Sequence, residues 1–155
     1  MISIDKLVSI GFTVAQATDI SKFFRSIGYA AKFTADDLVD GYSIPANKVI
    51  IIDSVDTLKT IFLSSTQFYK DIETLLVQKG NTKPNQSNVQ QVVVYQAAGT
   101  NYGVDVDNFV KVNANWAQLT IDSRLAADIE KAAAKALANG RLFPAQTFDN
   151  DITLS

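Results

Sequence analysis

Two uninterrupted runs of mostly β-branched residues constrain the fold of this chain more than any other feature. Val49–Ile52 reads V-I-I-I and residues 92–95 read V-V-V-Y, with no polar residue inside either run. Strands that are buried on both faces have continuous apolar runs of this kind, whereas half-buried strands alternate apolar and polar residues. We therefore predict that both segments are strands of a sheet that is covered on both faces.

Helical patterns alternate with these runs. The Thr-Val-Ala-Gln sequence at residues 13–16 is typical of a capping box, and apolar residues then recur at helical spacing as far as Ile27, with Gly28 as the left-handed stop. Three further helices are predicted, at 54–63, 64–79 and 104–112. In the second of these, Ser64 and Gln67 have the spacing of another capping box.

The last third of the chain contains the strongest helical pattern. A strand is predicted at residues 116–121, and Ser123 is the expected cap of a helix that closes at 139–140. The expected buried stripe of that helix is Leu125, Ile129, Ala132, Ala133, Ala136 and Leu137. Residues 141–148 are predicted to form a final strand, in which Pro144 favours an edge position.

Strands that alternate with helices of this length predict an α/β fold, namely a single domain with a mostly parallel or mixed sheet covered by helices on both faces. Residues 1–12 are interpreted as an N-terminal strand or arm, and residues 13–155 as the α/β domain. The apolar positions of the arm alternate along the chain and are Ile2, Ile4, Val8 and Ile10.

Composition restricts the chemistry that this chain can perform. Its 155 residues contain no histidine and no cysteine. Catalytic triads that use an imidazole, the ordinary zinc sites and iron–sulfur clusters therefore lack their ligands or bases. Carboxylate catalysis and oxygen-ligated magnesium or calcium remain compatible with the composition.

The charge and hydropathy pattern favours neither a nucleic acid nor a membrane as partner. The net charge is -2, and the sequence has no basic run of the kind that a phosphate backbone requires. No stretch approaches 18 uninterrupted apolar residues, and the first five residues lack the pattern of a signal peptide. We expect a soluble chain that is not exported by that route.

Two weak motifs could bind a ligand. Residues 99–103 follow a predicted strand, where backbone amides cradle phosphates in α/β proteins, but their spacing fits neither common nucleotide-binding pattern. The acid pairs Asp105 with Asp107, and Asp149 with Asp151, could hold a divalent cation but lack the glycine and glutamate of a calcium loop. Ordinary turns, helix-start acids and solvated acids explain these motifs better, so no catalytic, cofactor-binding or metal residue is assigned and no cofactor is expected.

Residues 49–78 and 116–148 resemble the sheath-like tail proteins of contractile-tailed bacteriophages. In that family, an Asp-Ser-Val-Asp-type turn, a Ser/Thr-Gln-Phe-Tyr-type helix, a proline-containing loop and a β-branched strand follow one another. An aromatic strand, an Asp/Ser-Arg turn, an alanine-rich helix and a strand ending near Gln-Thr come later. The matching positions in this chain are 53–56, 65–69, Pro84, 92–94, Trp116, 122–124, 126–138 and 146–147.

This resemblance implies a viral structural protein rather than an enzyme. The expected function is that of a tail sheath subunit that self-assembles into a homo-oligomeric helical array in the virion, after synthesis in the bacterial host cytoplasm. Its main partners would be copies of itself, with the tail tube protein as a further partner. Relatives are longer and carry a C-terminal part that contacts the tube, so the resemblance leaves open a fragment, a truncated reading frame or a short tail protein.

The expected link between subunits is the N-terminal strand. Its alternating residues Ile2, Ile4, Val8 and Ile10 could pair with the open sheet edge of a neighbour through main-chain hydrogen bonds. Two other functions remain open at this point. One is a small α/β nucleotide-binding domain or enzyme that uses residues 99–103 with Asp105 and Asp107, and the other is a monomeric phage accessory protein on the same fold.

Overall fold

The structure is a computed structural model that describes residues 25–77 and 89–144. The predicted N-terminal strand, the predicted helix as far as residue 24, the loop at 80–88 and the Asp149 and Asp151 pair lie outside these residues. The described strands are β1 Ser26–Ala31, β2 Val49–Ile52, β3 Gln91–Gln96 and β4 Gln118–Ile121. The described α-helices are α1 Val55–Ile61, α2 Gln67–Leu76, α3 Tyr102–Val112 and α4 Ala126–Ala138, and a short 3-10 helix occupies Ala35–Asp37.

One mixed sheet with the order β2-β3-β1-β4 organises the described residues. Strand β1 pairs in parallel with β3 on one side and with β4 on the other, whereas β2 runs antiparallel to β3. The sheet is therefore mostly parallel with one antiparallel edge strand. This confirms the α/β fold and the mixed sheet that the alternation of strands and helices predicted.

Helices cover both faces of the sheet. On one face, α1 lies on β2 and α2 lies on β3, and together they enclose an apolar cluster around Tyr29, Ile52 and Ile72. On the other face, α3 lies on β1 and α4 lies on β4, around Trp116 and Phe109. The two clusters stabilise the inner strands, which explains why all four residues of the run at 92–95 are fully buried.

Strand β2 is an edge strand, so the prediction that it is covered on both faces was wrong. Its residues Val49 and Ile50 are half-buried, Ile52 is buried, and Ile51 is 49 % exposed. The run of isoleucines predicted the strand correctly. Its place in the sheet depends on the antiparallel pairing with β3, which no local pattern encodes.

Gly28 lies inside β1, so the prediction of a helix ending at this residue was also wrong. A methyl group at Gly28 would lie 2.8 Å from Cδ2 of Trp116 and 2.9 Å from Cε1 of Phe109. The glycine is therefore required because two aromatic rings pack directly on the backbone of the strand. Strand β1 instead begins at Ser26, within the last turn of the predicted helix, and ends at Ala31.

Helix α4 follows its predicted course but buries a narrower stripe than expected. Ala132 and Ala136 are fully buried, while Leu125 and Leu137 are exposed. The N-cap position is occupied by Leu125, and the hydroxyl of Ser123 instead donates to the carboxylate of Asp128. Helix α4 packs closely against α3, and the small side chains of Ala132 and Ala136 allow this close approach.

Helix caps agree in part with the sequence predictions. Ser54 caps α1 by accepting a hydrogen bond from the backbone amide of Thr57. The cap of α2 is Thr66, which accepts from the amide of Tyr69, rather than Ser64. The glycine at 140 has a φ of 67° and ends α4 as predicted. Within residues 25–77 and 89–144, none of the helices is long and apolar enough to cross a membrane.

Substitution of Gly28 by alanine tests the aromatic contact. The new Cβ would force Trp116 or Phe109 out of position, so we expect the free energy of unfolding to fall by about 1–3 kcal/mol. Urea denaturation followed by tryptophan fluorescence measures the change. Gly103→Ala is the matched control, because a Cβ there meets nothing nearer than 3.3 Å. Equal effects of the two substitutions would contradict this account.

Candidate functional site

The glycine-containing loop after β3 is closed by a carboxylate of the same chain. The Asp105 side chain is buried, and its two oxygens accept hydrogen bonds from the backbone amides of Ala98 at 3.0 Å and Gly99 at 3.1 Å. Asn101 caps α3 by accepting from the amide of Gly103. These are the amides that a phosphate would need at this position, and a fixed negative group already binds two of them.

The crevice between the carboxyl ends of β1 and β3 is also occupied by the chain itself. In open α/β sheets, ligands bind where the connections from neighbouring strands leave toward opposite faces, and β1 and β3 are such a pair here. Gly99 packs against the aliphatic part of Lys32, so that a Cβ would lie 2.9 Å from Cδ of that lysine. The Gln96 amide group donates to the carbonyl of Phe33 at 3.1 Å and crosses the same gap.

Asp105 and Asp107 do not form a joint cation site. Asp105 points into the loop, whereas Asp107 forms a 2.7 Å ion pair with Lys135 and links α3 to α4. The hydrogen bond from Lys135 lowers the pKa of Asp107, so this contribution to stability is present at neutral pH and is lost when the carboxylate is protonated in acid. Across the described part of the chain, no three acidic side chains come together as a metal ligand set.

A second polar cluster lies at the carboxyl end of β4 and was only partly visible in the sequence. Asp122 accepts a short hydrogen bond from the Tyr102 hydroxyl and a 3.2 Å bond from the backbone amide of Lys32. The sequence analysis marked Ser123 only as a helix cap and Asp122 only as part of a turn. Their position directly after a parallel strand was the available signal, while the partner Tyr102 lies 20 residues away and no local pattern indicates it.

A cleft of about 620 Å³ opens beside this cluster, between α2 and β4. Tyr29 is buried at its base and donates a hydrogen bond of 3.2 Å to the carboxylate of Asp71. Burial raises the pKa of Tyr29, and the nearby Asp71 raises it further. Burial likewise raises the pKa of Tyr102, with its hydrogen bond to Asp122 as the next cause. Both phenols therefore stay protonated hydrogen-bond donors at neutral pH.

Three aromatic rings form the centre of the core on the face of α3 and α4. Tyr95 and Trp116 are both fully buried, and Phe109 lies between them, with ring centroids 5.0 Å from Tyr95 and 4.7 Å from Trp116. Trp116 donates its indole N–H to the carbonyl of Asn113 at 2.8 Å. They are core residues with satisfied polar atoms, and neither offers a free ring face to a ligand.

Strand β2 forms one edge of the described sheet. The amide of Gln96 donates to the carbonyl of Lys48, which makes these residues a hydrogen-bonded pair. Because antiparallel bonding alternates along a strand, Val49 and Ile51 direct their amide and carbonyl groups away from β3. Within the described ranges, no strand pairs with this edge.

The opposite edge of the sheet is paired near its start by one residue. The amide of Leu119 donates to the carbonyl of Leu142 at 2.8 Å, and the amide of Leu142 donates to the carbonyl of Ala117 at 2.9 Å. Leu142 lies in the segment that was predicted as a final strand, and it forms an isolated parallel bridge with Gln118. Among the described residues, the edge of β2 has no such pairing.

Comparison with known proteins gave no match: no family model, no curated protein and no solved structure is similar to this chain at a significant level.

Replacing Asp105 tests the closed loop. Asp105→Asn keeps the size of the side chain but removes one of two acceptor oxygens, so one buried amide loses its partner and we expect a loss of about 1–3 kcal/mol in the free energy of unfolding. Asp107→Asn is the control, because its partly exposed ion pair contributes at most about 1 kcal/mol. Urea denaturation at neutral pH compares the two, and a larger effect at Asp107 would refute the assignment.

Proposed function

We propose that this chain is a non-enzymatic structural subunit that self-assembles, as a sheath-like protein of a phage contractile tail would. The observation that supports the proposal best is the open edge of β2. It combines outward-directed backbone groups at Val49 and Ile51 with a run of four apolar residues. Soluble proteins usually protect such an edge with charges, proline or a bulge, because it pairs readily with another chain.

The side chain of Ile51 adds to this surface. Ile51 faces the same side as Val93, but no helix of the described ranges covers it there, and it is 49 % exposed. An added strand would bury this side chain and pair the free backbone groups at once, which is how β-strand addition combines affinity with specificity. The nearest charges along the chain, Lys48 and Asp53, flank the run rather than interrupt it.

The contacts of Asp105 and Asp107 also support a structural function over the nucleotide-binding alternative. That alternative needs free backbone amides in the loop at 99–103 and free carboxylates at 105 and 107. In the structure, Asp105 binds the amides of Ala98 and Gly99, and Asp107 binds Lys135. These groups stabilise the fold and are not arranged around a ligand.

The strand that we propose for the open edge is the N-terminal arm of a neighbouring subunit. Its apolar residues alternate, so that one face of the added strand would be apolar and would lie beside Ile51. These residues are Ile2, Ile4, Val8 and Ile10. Repeated donation from one subunit to the next is a heterologous contact, and such contacts build rings or helical arrays.

A charge at the open edge should prevent assembly without unfolding the subunit. We expect Ile51→Lys to abolish the large assemblies that the unchanged protein forms, because a buried lysine at a strand interface would lose its hydration. Negative-stain electron microscopy and sedimentation velocity measure the outcome. Val104→Lys is the matched control, because Val104 is 53 % exposed but lies on α3, away from the edge. Assembly that is equally sensitive to both substitutions would argue against the edge, and a monomeric unchanged protein would argue against the proposed function.

Removal of the arm provides a separate test. Deletion of residues 1–10 should yield a folded monomer with an unchanged melting temperature, because the arm would pair with a neighbour and not with its own sheet. Circular dichroism and light scattering follow the fold and the assembly. A deletion variant that unfolds, or that assembles as before, would contradict the proposal that the arm links neighbouring subunits.

A further inference from the structure

One face of β4 lacks a helical neighbour in the described part of the structure. Thr120 pairs with Tyr29, so both side chains point to the face on which α1 and α2 lie. On this face α1 covers β2 and α2 covers β3. The cleft of about 620 Å³ lies beyond α2, above Thr120 and the end of β4.

The spacing of the sheet leaves room for one helix at this place. Neighbouring strands lie about 4.8 Å apart, and packed helices lie about 8–10 Å apart. A helix beside α2 would therefore stand two strands away from β3, which is directly above β4. The cleft begins at the position of a further member of this helical layer and extends past the end of β4 to Ile129 and Phe143.

The lining of the cleft suits an amphipathic helix. Phe68 and Leu75 on α2 are half-buried and border the cleft, and Leu142 is 58 % exposed on the same face, because it pairs with Gln118. The end near the carboxyl termini of the strands carries the carboxylates of Asp71 and Asp122 and the guanidinium of Arg124. An occupant would therefore meet apolar side chains along α2 and a charged end at which two carboxylates outnumber one guanidinium.

We propose that residues 13–24 of the same chain form the helix that occupies this cleft. Residue 24 directly precedes Arg25, whose carbonyl accepts a hydrogen bond from Gln90 where β1 begins. A helix over these residues would end at the amino end of β1, beside β4, and would run back along the strands. Twelve helical residues span about 18 Å, and the six residues of β1 span about 20 Å.

The sequence of this segment matches the cleft in polarity and in charge. Its apolar stripe would face Phe68 and Leu75, and its members are Val14, Ala17, Ile20 and Phe24. The amino end of the helix would reach the carboxyl end of the sheet, where Asp71 and Asp122 lie. A helix amino terminus carries a partial positive charge, so carboxylates at this end stabilise it.

This placement has a consequence for the cleft and for the arm. The cleft is filled by the chain's own segment and is not a site for a small ligand. Residues 1–12 then leave the domain at the carboxyl end of the strands, beside Asp122. The inference concerns a contact within one chain and does not depend on whether subunits assemble.

Engineered cysteines test the contact directly, because the chain has no cysteine of its own. Ala17 lies eight residues before Arg25, about 12 Å along a helix, and Thr120 pairs with Tyr29, about 13 Å along β1 from the same point. The two side chains would therefore face each other. We expect the full-length double variant Ala17→Cys and Thr120→Cys to form an intramolecular disulfide on mild oxidation, seen as a faster monomer band in non-reducing electrophoresis and confirmed by mass spectrometry.

The matched control moves the first cysteine to Ala15, which would lie on the opposite side of the helix. Ala15→Cys with Thr120→Cys should remain reduced under the same conditions. A disulfide that forms equally well from both positions, a disulfide between two chains, or no disulfide from Ala17 would each overturn the proposal. Ile20→Cys with Leu75→Cys repeats the test on α2, so that a variant which fails to fold does not decide the result.

Discussion

The packing of two aromatic rings on the bare backbone of Gly28 is the contact on which the rest of the domain depends. Trp116 and Phe109 can approach the central strand only because no side chain intervenes. This contact fixes α3 across β1 and places the start of β4 beside it. Arg141 then lies over the indole, with its guanidinium carbon 5.2 Å from the ring centroid, and its side chain donates to the carbonyl of Ala114. One absent side chain thus positions elements from three parts of the sequence.

Polar groups at the carboxyl ends of the strands form hydrogen bonds with one another. Asp105 binds the amides of the loop after β3, Asp122 binds Tyr102 and the amide of Lys32, and Asp71 binds Tyr29. Asp105 is buried and the other two carboxylates are half-buried, and each has partners that offset its desolvation. In many α/β proteins this end of the sheet is the reactive one. Here it stabilises the domain, and the accessible features are the open strand edge and the cleft beside α2.

The edge of β2 and the cleft suggest different roles for two parts of the first 24 residues. Residues 13–24 would lie in the cleft as part of the helical layer. Residues 1–12 would then be able to reach another chain. Backbone pairing at β2 would add no new side-chain chemistry, which agrees with a sequence that contains neither histidine nor cysteine. Assembly would then rest on main-chain hydrogen bonds and on the burial of exposed apolar side chains such as Ile51.

The sequence by itself determined the fold class, because periodicity, caps and β-branched runs are local properties. It placed all four α-helices and the strands β2, β3 and β4 closely enough to predict an α/β domain with a mixed sheet. It failed at Gly28, at the exposed edge of β2 and at the exposed leucines of α4. In each case the outcome depends on residues distant in sequence: the rings that press on Gly28, the strand order that leaves β2 outside, and the close approach of α3 that admits only alanine. The partners Tyr102 and Asp122, or Tyr29 and Asp71, were likewise beyond local reasoning, because only the tertiary structure decides which side chains meet at the end of a sheet.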